Sequence, residues 1–98
     1  MRVRYANADL QRLETDLAFT AKFSHVIVKA YRKRMQLIRA AQSEQDFRNL
    51  KSLHFEKLKG NRQRQWSLRL NDQWRLILEF ERDEDGKVVV IVSIEDYH

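Results

Sequence analysis

The sequence predicts an α+β domain, with two N-terminal helices laid on one face of a small antiparallel sheet. In the first half of the chain, apolar residues recur every three or four positions, which is the period of an amphipathic helix. From about residue 65 the apolar period changes to two, which is typical of strands with one buried face. The 98 residues are 43% apolar and contain no proline, so we expect one domain spanning residues 1–98.

The predicted elements begin with a short strand and a first helix. Alternation in the segment RVRY, residues 2–5, predicts the strand. Asp9 has a side chain suited to capping a helix that begins near Leu10. The apolar face of that helix is predicted to carry Leu10, Leu13 and Leu17.

A longer helix and a short helical turn follow. Ser24 is a suitable cap for a helix that extends to about Ala41. The apolar stripe of this helix consists of Val28, Tyr31, Met35 and Ile38. The segment SEQD at Ser43 resembles a capping box and predicts a helical turn through about Asn49.

The second half of the chain predicts strands joined by tight turns. One face of QWSLRL and WRLILEF consists of Trp66, Leu68, Leu70, Trp74, Leu76, Leu78 and Phe80. We expect the helices to cover this face, so that Arg69 and Arg75 lie on the opposite face. Asn71 and Asp72 provide turn chemistry between these strands. Gly86 provides it before VVVIVSI, which is apolar on both faces and predicts a central strand.

The chain is basic, with a net charge of +5 and a pI near 9.8. In a small domain this charge favours an acidic partner, either a nucleic acid or an acidic protein. Acidic residues are absent between Asp16 and Glu44, and a basic series is formed by Lys57, Lys59, Arg62, Arg64, Arg69 and Arg75. The sequence has no signal-peptide pattern, no apolar run long enough to span a bilayer and no cysteine. We therefore expect a cytoplasmic protein without a membrane partner.

Acid–base side chains accompany these cations in the second half of the chain. His54, Tyr97 and His98 are present, without a Gly-rich phosphate loop or two histidines at metal-ligand spacing. This set suits cleavage of RNA without a metal or another cofactor. In that chemistry a base takes the 2′-hydroxyl proton, cations stabilise the phosphate and an acid protonates the leaving oxygen. Spacing alone also leaves open that both histidines are ordinary surface residues.

The segment LHFEKLKGNRQRQWSLRLNDQWRLILEF, together with the closing EDYH, resembles the HigB-type "killer protein" toxins of the RelE/ParE superfamily. The shared pattern is a histidine, LKG, a basic loop, WS, a polar turn, WR, an aromatic residue and DYH. The resemblance implies a RelE-like, microbial-ribonuclease-like fold. It also implies the toxin of a type II toxin–antitoxin system, a ribosome-dependent endoribonuclease that cuts mRNA in the A site and inhibits translation.

The resemblance also implies a set of site residues. The expected catalytic residues are His54, Lys57, Arg75, Asp96, Tyr97 and His98. Which of His54, Lys57 and His98 acts as base and which as acid stays open. We expect RNA to be bound by the neighbouring cations Lys59, Arg62, Arg64 and Arg69.

The expected partners are a helix-turn-helix antitoxin similar to HigA, the ribosome and its mRNA. Operator DNA is expected only indirectly, through the antitoxin. Two alternatives stay open: a ParE-like toxin that acts on DNA gyrase, and a module that binds an antitoxin without catalysis. The DYH ending argues against the first, because ParE-like domains generally lack the acid–base residues. Fold and charge suit the second equally well.

Overall fold

The computed structural model describes residues 1–62 and 64–96. In these residues the strands are β1 (Arg2–Tyr5), β2 (Glu56–Lys57), β3 (Gln65–Arg69), β4 (Trp74–Asp83) and β5 (Gly86–Asp96). The helices are α1 (Ala8–Thr15), α2 (His25–Ala40) and α3 (Glu44–Asn49), and short 3₁₀ turns span Lys51–Leu53 and Gly60–Arg62. The described strands form one sheet in the order β1-β5-β4-β3-β2. The predicted α+β class is therefore confirmed.

The sheet is mixed, and in this it differs from the antiparallel sheet that we expected. The pairs β2–β3, β3–β4 and β4–β5 are antiparallel, whereas β1 pairs with β5 in parallel. A parallel pair requires a long crossover, and the helices lie in the chain that connects β1 to β5. The tight β4–β5 connection has Gly86 at φ +113, as the sequence predicts. Because β5 lies between β1 and β4, its prediction as a central strand is also confirmed.

The helices cover one face of the sheet, and the core lies between these two layers. Fully or almost fully buried core residues include Leu13, Val28, Tyr31, Met35, Ile38, Leu68, Leu76 and Leu78. Trp66, Trp74 and Phe80 pack against this core and are partly buried. The predicted division of β3 and β4 into a helix-facing side and an opposite side is therefore confirmed.

Two predictions for α1 are wrong. Its cap is Asn7, whose side chain accepts a hydrogen bond from the Leu10 backbone N–H at 3.1 Å, and Asp9 lies within the first turn. Leu17 is 80% exposed, because α1 ends at Thr15 and Leu17 lies beyond it. Both residues are compatible with the helical period, so the period alone does not give the helix bounds.

The bounds of the other two helices agree with the sequence. Ser24 caps α2 by accepting a hydrogen bond from the Ile27 backbone N–H at 3.3 Å, as predicted. The predicted turn after Ser43 forms α3, although the Ser43 side chain makes no cap hydrogen bond. None of the helices in the described residues has the length and apolar character that a bilayer crossing requires.

Candidate active site

Two arginines meet on the face of the sheet opposite the helices, which we call the open face. Arg69 on β3 and Arg75 on β4 are direct register partners, and both are half-buried. Their neighbours Leu68 and Leu76 face the core, so alternation directs both guanidinium groups to the open face. Like charges directly opposite each other are unfavourable. An anion between them would offset this repulsion, and a phosphate suits the bidentate geometry of a guanidinium.

The β3–β4 turn and α2 hold Arg69 in place. Its guanidinium forms an ion pair with Asp72 across the turn. Its backbone carbonyl accepts a hydrogen bond from Nε of Arg34 at 2.8 Å. Burial, and to a smaller extent the nearby charge of Arg69, lower the pKa of Arg34. Arg34 therefore places a third positive charge next to the two sheet arginines.

His54 lies next to Arg75. Nη1 of Arg75 donates a long hydrogen bond of 3.4 Å to the His54 carbonyl. His54 ends the Lys51–Leu53 turn with left-handed backbone angles, φ 46 and ψ 56, and its side chain is exposed. This conformation costs a residue with a Cβ roughly 1–2 kcal/mol, and strained residues of this kind cluster at functional sites.

Glu95 belongs to the same neighbourhood, and the sequence reasoning missed it. Glu95 is the register partner of Arg75 on β5. Its carboxylate accepts hydrogen bonds from Nη1 and Nη2 of Arg62 at 2.8 and 2.7 Å. The bonds from Arg62 lower the pKa of Glu95, against the opposite effect of partial burial. The only sequence signal was the position of Glu95 beside Asp96, since nothing local indicates a contact with an arginine 33 residues away.

The residues in the middle of the open face are buried. Arg62 also donates from Nε to the Gln65 side chain at 2.8 Å, so its guanidinium spans from β3 to Glu95 on β5. Between the pair Gln65–Glu79 and the pair Arg69–Arg75 lie the register partners Ser67 and Ile77, whose side chains are 0% and 2% exposed. Within the described residues, the Ser67 hydroxyl oxygen has no hydrogen-bond partner. Beyond this buried middle, the end of the face with Arg69, Arg75 and Glu95 is partly accessible.

Two of the predicted catalytic residues lie on the other side of the sheet. Lys57 is the register partner of Trp66, and its Nζ lies 5.9 Å from the Trp66 ring centroid. Asp96 is the register partner of Trp74 and accepts a hydrogen bond from the Gln73 amide at 3.0 Å. Both are exposed near the edges of the helix-facing side. The structure therefore places His54 beside Arg75 but separates Lys57 and Asp96 from it.

The remaining predicted residues are distributed more widely. Lys59 is exposed between β2 and the Gly60–Arg62 turn. Arg64 lines a pocket of about 540 Å³ with three further cations, Arg4, Arg82 and Lys87. Arg64 immediately precedes β3 and is five positions from Arg69, which is ~16 Å along an extended chain. Tyr97 and His98 lie outside the described residues.

Among the described residues, no group of three or more histidine, aspartate and glutamate side chains could hold a metal ion.

A family model decides the classification of this chain. The model of HigB-like toxins, the RelE-like toxins of the type II toxin–antitoxin system HigB, matches residues 4–98. The chain belongs to the HigB-like toxin family. This toxin is therefore a member of the RelE/HigB superfamily, as the sequence resemblance implied. A comparison with curated proteins finds no match.

Solved structures share the fold of the toxin. The YoeB/ParE toxin from Agrobacterium tumefaciens is similar over 100% of both chains, with 16% identity and a TM-score of 0.61. The YoeB–YefM complex from Staphylococcus aureus is similar over 100% of this chain and 97% of the other, with 18% identity and a TM-score of 0.57. At such identities the likeness is one of fold.

Proposed function

We propose that this toxin is a metal-independent, ribosome-dependent endoribonuclease that cuts mRNA in the A site and inhibits translation. The observation that carries the proposal is the facing pair Arg69 and Arg75 on the open face, with His54 beside Arg75. Family membership supports the same reading, because the resemblance to HigB-type toxins implies this activity. The dependence on the ribosome rests on the family alone.

In the proposed reaction, Arg75 binds the scissile phosphate and Arg69 binds it or its neighbour. The 2′-hydroxyl attacks the phosphorus while a base takes its proton, and an acid protonates the leaving 5′-oxygen. The guanidinium groups stabilise the charge that develops on the phosphate in the transition state. His54 and His98 are the main candidates for the proton transfers, with Lys57 as a further candidate base.

We assign supporting roles to the remaining residues. Asp96 and Tyr97 belong to the closing DYH of the family and are proposed to orient the reacting groups. Lys59 and Arg64 are proposed to bind RNA outside the scissile phosphate. Lys57 and Asp96 lie near the edges of the helix-facing side, so their proposed roles require the RNA to reach the edge of the sheet.

The proposed biological setting follows from the family. We propose that the toxin forms one domain over residues 1–98, acts in the cytoplasm and is inhibited by a helix-turn-helix antitoxin similar to HigA. The complex would reach operator DNA only through the antitoxin. Charge supports an electrostatic contribution to binding, because the toxin carries a net charge of +5.

The test is cleavage by the purified toxin of a defined mRNA on programmed ribosomes, with the same mRNA without ribosomes as control. We expect cuts within the A-site codon only when ribosomes are present, leaving a 2′,3′-cyclic phosphate and a 5′-hydroxyl. Ends with a 5′-phosphate would contradict attack by the 2′-hydroxyl. Intact mRNA with gyrase-dependent DNA breaks would support the ParE-like alternative, and antitoxin binding without either activity would support the non-catalytic module.

A further inference from the structure

Arg75 has an acidic neighbour on β5. Glu95 is its register partner there, and directly opposite residues of an antiparallel pair have Cβ atoms about 4.5–5.5 Å apart. Opposite charges in this relation attract each other. If the Glu95 carboxylate turned to Arg75, it would compete for the guanidinium that the proposed function assigns to the RNA phosphate.

The Glu95 carboxylate is instead held by Arg62 from another direction. Each carboxylate oxygen accepts one hydrogen bond from the Arg62 fork, at 2.8 and 2.7 Å. The Ser93 hydroxyl donates a further bond of 2.6 Å to the second oxygen. This is the bidentate geometry in which an arginine binds a carboxylate most strongly.

Arg62 is itself oriented by β3. Its Nε donates to the Gln65 side-chain oxygen at 2.8 Å. The Gln65 amide nitrogen donates in turn to Glu79 at 2.9 Å. The bond from Arg62 to Gln65 fixes the plane of the guanidinium, so its two terminal nitrogens point along the sheet toward Glu95. Three of the five N–H donors of Arg62 are thus used within the protein.

We propose that Arg62 is a positioning residue, which binds the Glu95 carboxylate and thereby keeps it from competing with RNA phosphate for Arg75. The inference rests on the proposed function for the role of Arg75. It assigns to Arg62 an action through Glu95, where the sequence alone predicts a direct contact with RNA.

The experiment compares Arg62→Ala, Glu95→Gln and the double variant in single-turnover cleavage on programmed ribosomes. We expect Arg62→Ala to cut roughly fivefold to tenfold more slowly, because Glu95 is then available to Arg75. Glu95→Gln should retain at least about half of the parent rate, and the double variant should recover to within about threefold of it. Arg64→Ala is the matched control, since Glu95→Gln should not restore its activity.

Two other roles for Arg62 give different results, and either would overturn the inference. If Arg62 binds RNA directly, the double variant will be as slow as Arg62→Ala. If the ion pair only stabilises the fold, Glu95→Gln will be as slow as Arg62→Ala, and both will melt at lower temperature. Circular dichroism melting of all variants distinguishes slow cleavage from partial unfolding.

A second measurement separates this inference from the proposed function. The side-chain NMR signal of Arg75 should shift in Arg62→Ala and return toward the parent position when Glu95→Gln is added. An unchanged Arg75 signal in Arg62→Ala would sink the inference even if the toxin cuts mRNA. A parent toxin that cuts no mRNA would sink the proposed function, and the NMR result would still decide whether Arg62 controls Glu95.

Discussion

Arg69 and Arg75 lie directly opposite each other on β3 and β4, with both guanidinium groups on the face that the helices leave open. A cross-strand pair of like charges is destabilising by a few tenths of a kcal/mol to about 1 kcal/mol. The ion pair between Arg69 and Asp72 reduces this repulsion. A phosphate bound between the two guanidinium groups would reduce it further, and this motivates the first prediction.

Replacing Arg75 by alanine should slow mRNA cleavage by about 10²–10³, because a donor that strengthens its bond in the transition state is lost. The fold should survive, because Arg75 is half-buried and lies outside the core. Arg82→Ala is the control, since Arg82 is an exposed arginine at the other end of the same strand. Rates equal to the parent rate in Arg75→Ala, or equal losses in both variants, would contradict the assignment.

Two substitutions of His54 distinguish the cost of its backbone conformation from the catalytic role of its imidazole. Because His54 has φ 46, His54→Gly should be more stable than His54→Ala by about 1 kcal/mol. If the imidazole transfers a proton, both variants should lose cleavage by about 10²–10⁴. Urea denaturation measures the first difference and single-turnover cleavage the second. Retained cleavage in both variants would remove His54 from the mechanism.

Arg32 on α2 is predicted to stabilise the fold. It donates hydrogen bonds to the carbonyls of Leu13, Asp16 and Phe19, at 3.0, 3.1 and 3.4 Å, just where α1 ends. Of these carbonyls, only that of Leu13 belongs to the last turn of α1, where a helix lacks internal donors. Because hydrogen bonds from a charged group are lost, Arg32→Ala should reduce the free energy of unfolding by about 1.5–3 kcal/mol. Lys33→Ala, at the exposed neighbouring position, should change it by less than about 0.5 kcal/mol. Equal effects in urea denaturation would show that the contacts do not stabilise the end of α1.

Glu14 should make the stability depend on pH. Hydrogen bonds from Arg39 at 2.7 and 3.0 Å lower the pKa of Glu14, with partial burial acting in the opposite direction. A carboxyl whose pKa is lower in the folded state stabilises the protein above its unfolded pKa of about 4.3, and this contribution disappears as the pH falls further. The unfolding free energy of Glu14→Gln should therefore fall less than that of the parent between pH 6 and pH 3.

The difference should be about 1 kcal/mol, because Arg39 is about half exposed and water screens the pair. Thermal melts at both pH values measure it. Glu84→Gln, in the exposed β4–β5 turn, is the control and should follow the parent. A parallel pH dependence in parent and Glu14→Gln would show that Glu14 and Arg39 contribute nothing in this range.

The parts of the fold that depend on near neighbours in the sequence were predictable. The stripe of α2 is buried, from Val28 to Ile38, because a helix repeats its environment every 3.6 residues. The two faces of β3 and β4 follow from alternation in the same way, and so does the meeting of Arg69 and Arg75. The cap of α1 was not predictable from its period, because Asn7 and Asp9 both have suitable side chains.

Contacts between distant parts of the chain were not predictable. The parallel pairing of β1 with β5 and the ion pair of Arg62 with Glu95 depend on tertiary packing, which no local period encodes. The side of the sheet that carries Lys57 depends on its register with Trp66, and β2 is too short for its own pattern to fix that register. The part of the site that lies within the β3–β4 hairpin was therefore predictable from local pattern. The positions of residues from other parts of the chain, such as Arg62, Glu95 and Lys57, were not.

The last prediction concerns His98, which lies outside the described residues. His98→Gln keeps the chain length and some hydrogen-bonding capacity, but glutamine cannot transfer a proton near neutral pH. If His98 is the general acid or base, cleavage on programmed ribosomes should fall by about 10²–10⁴, with unchanged melting temperature and antitoxin affinity. His25→Gln is the control, because His25 is an exposed histidine at the start of α2. Equal cleavage by His98→Gln and the parent would transfer both proton roles to His54 and Lys57.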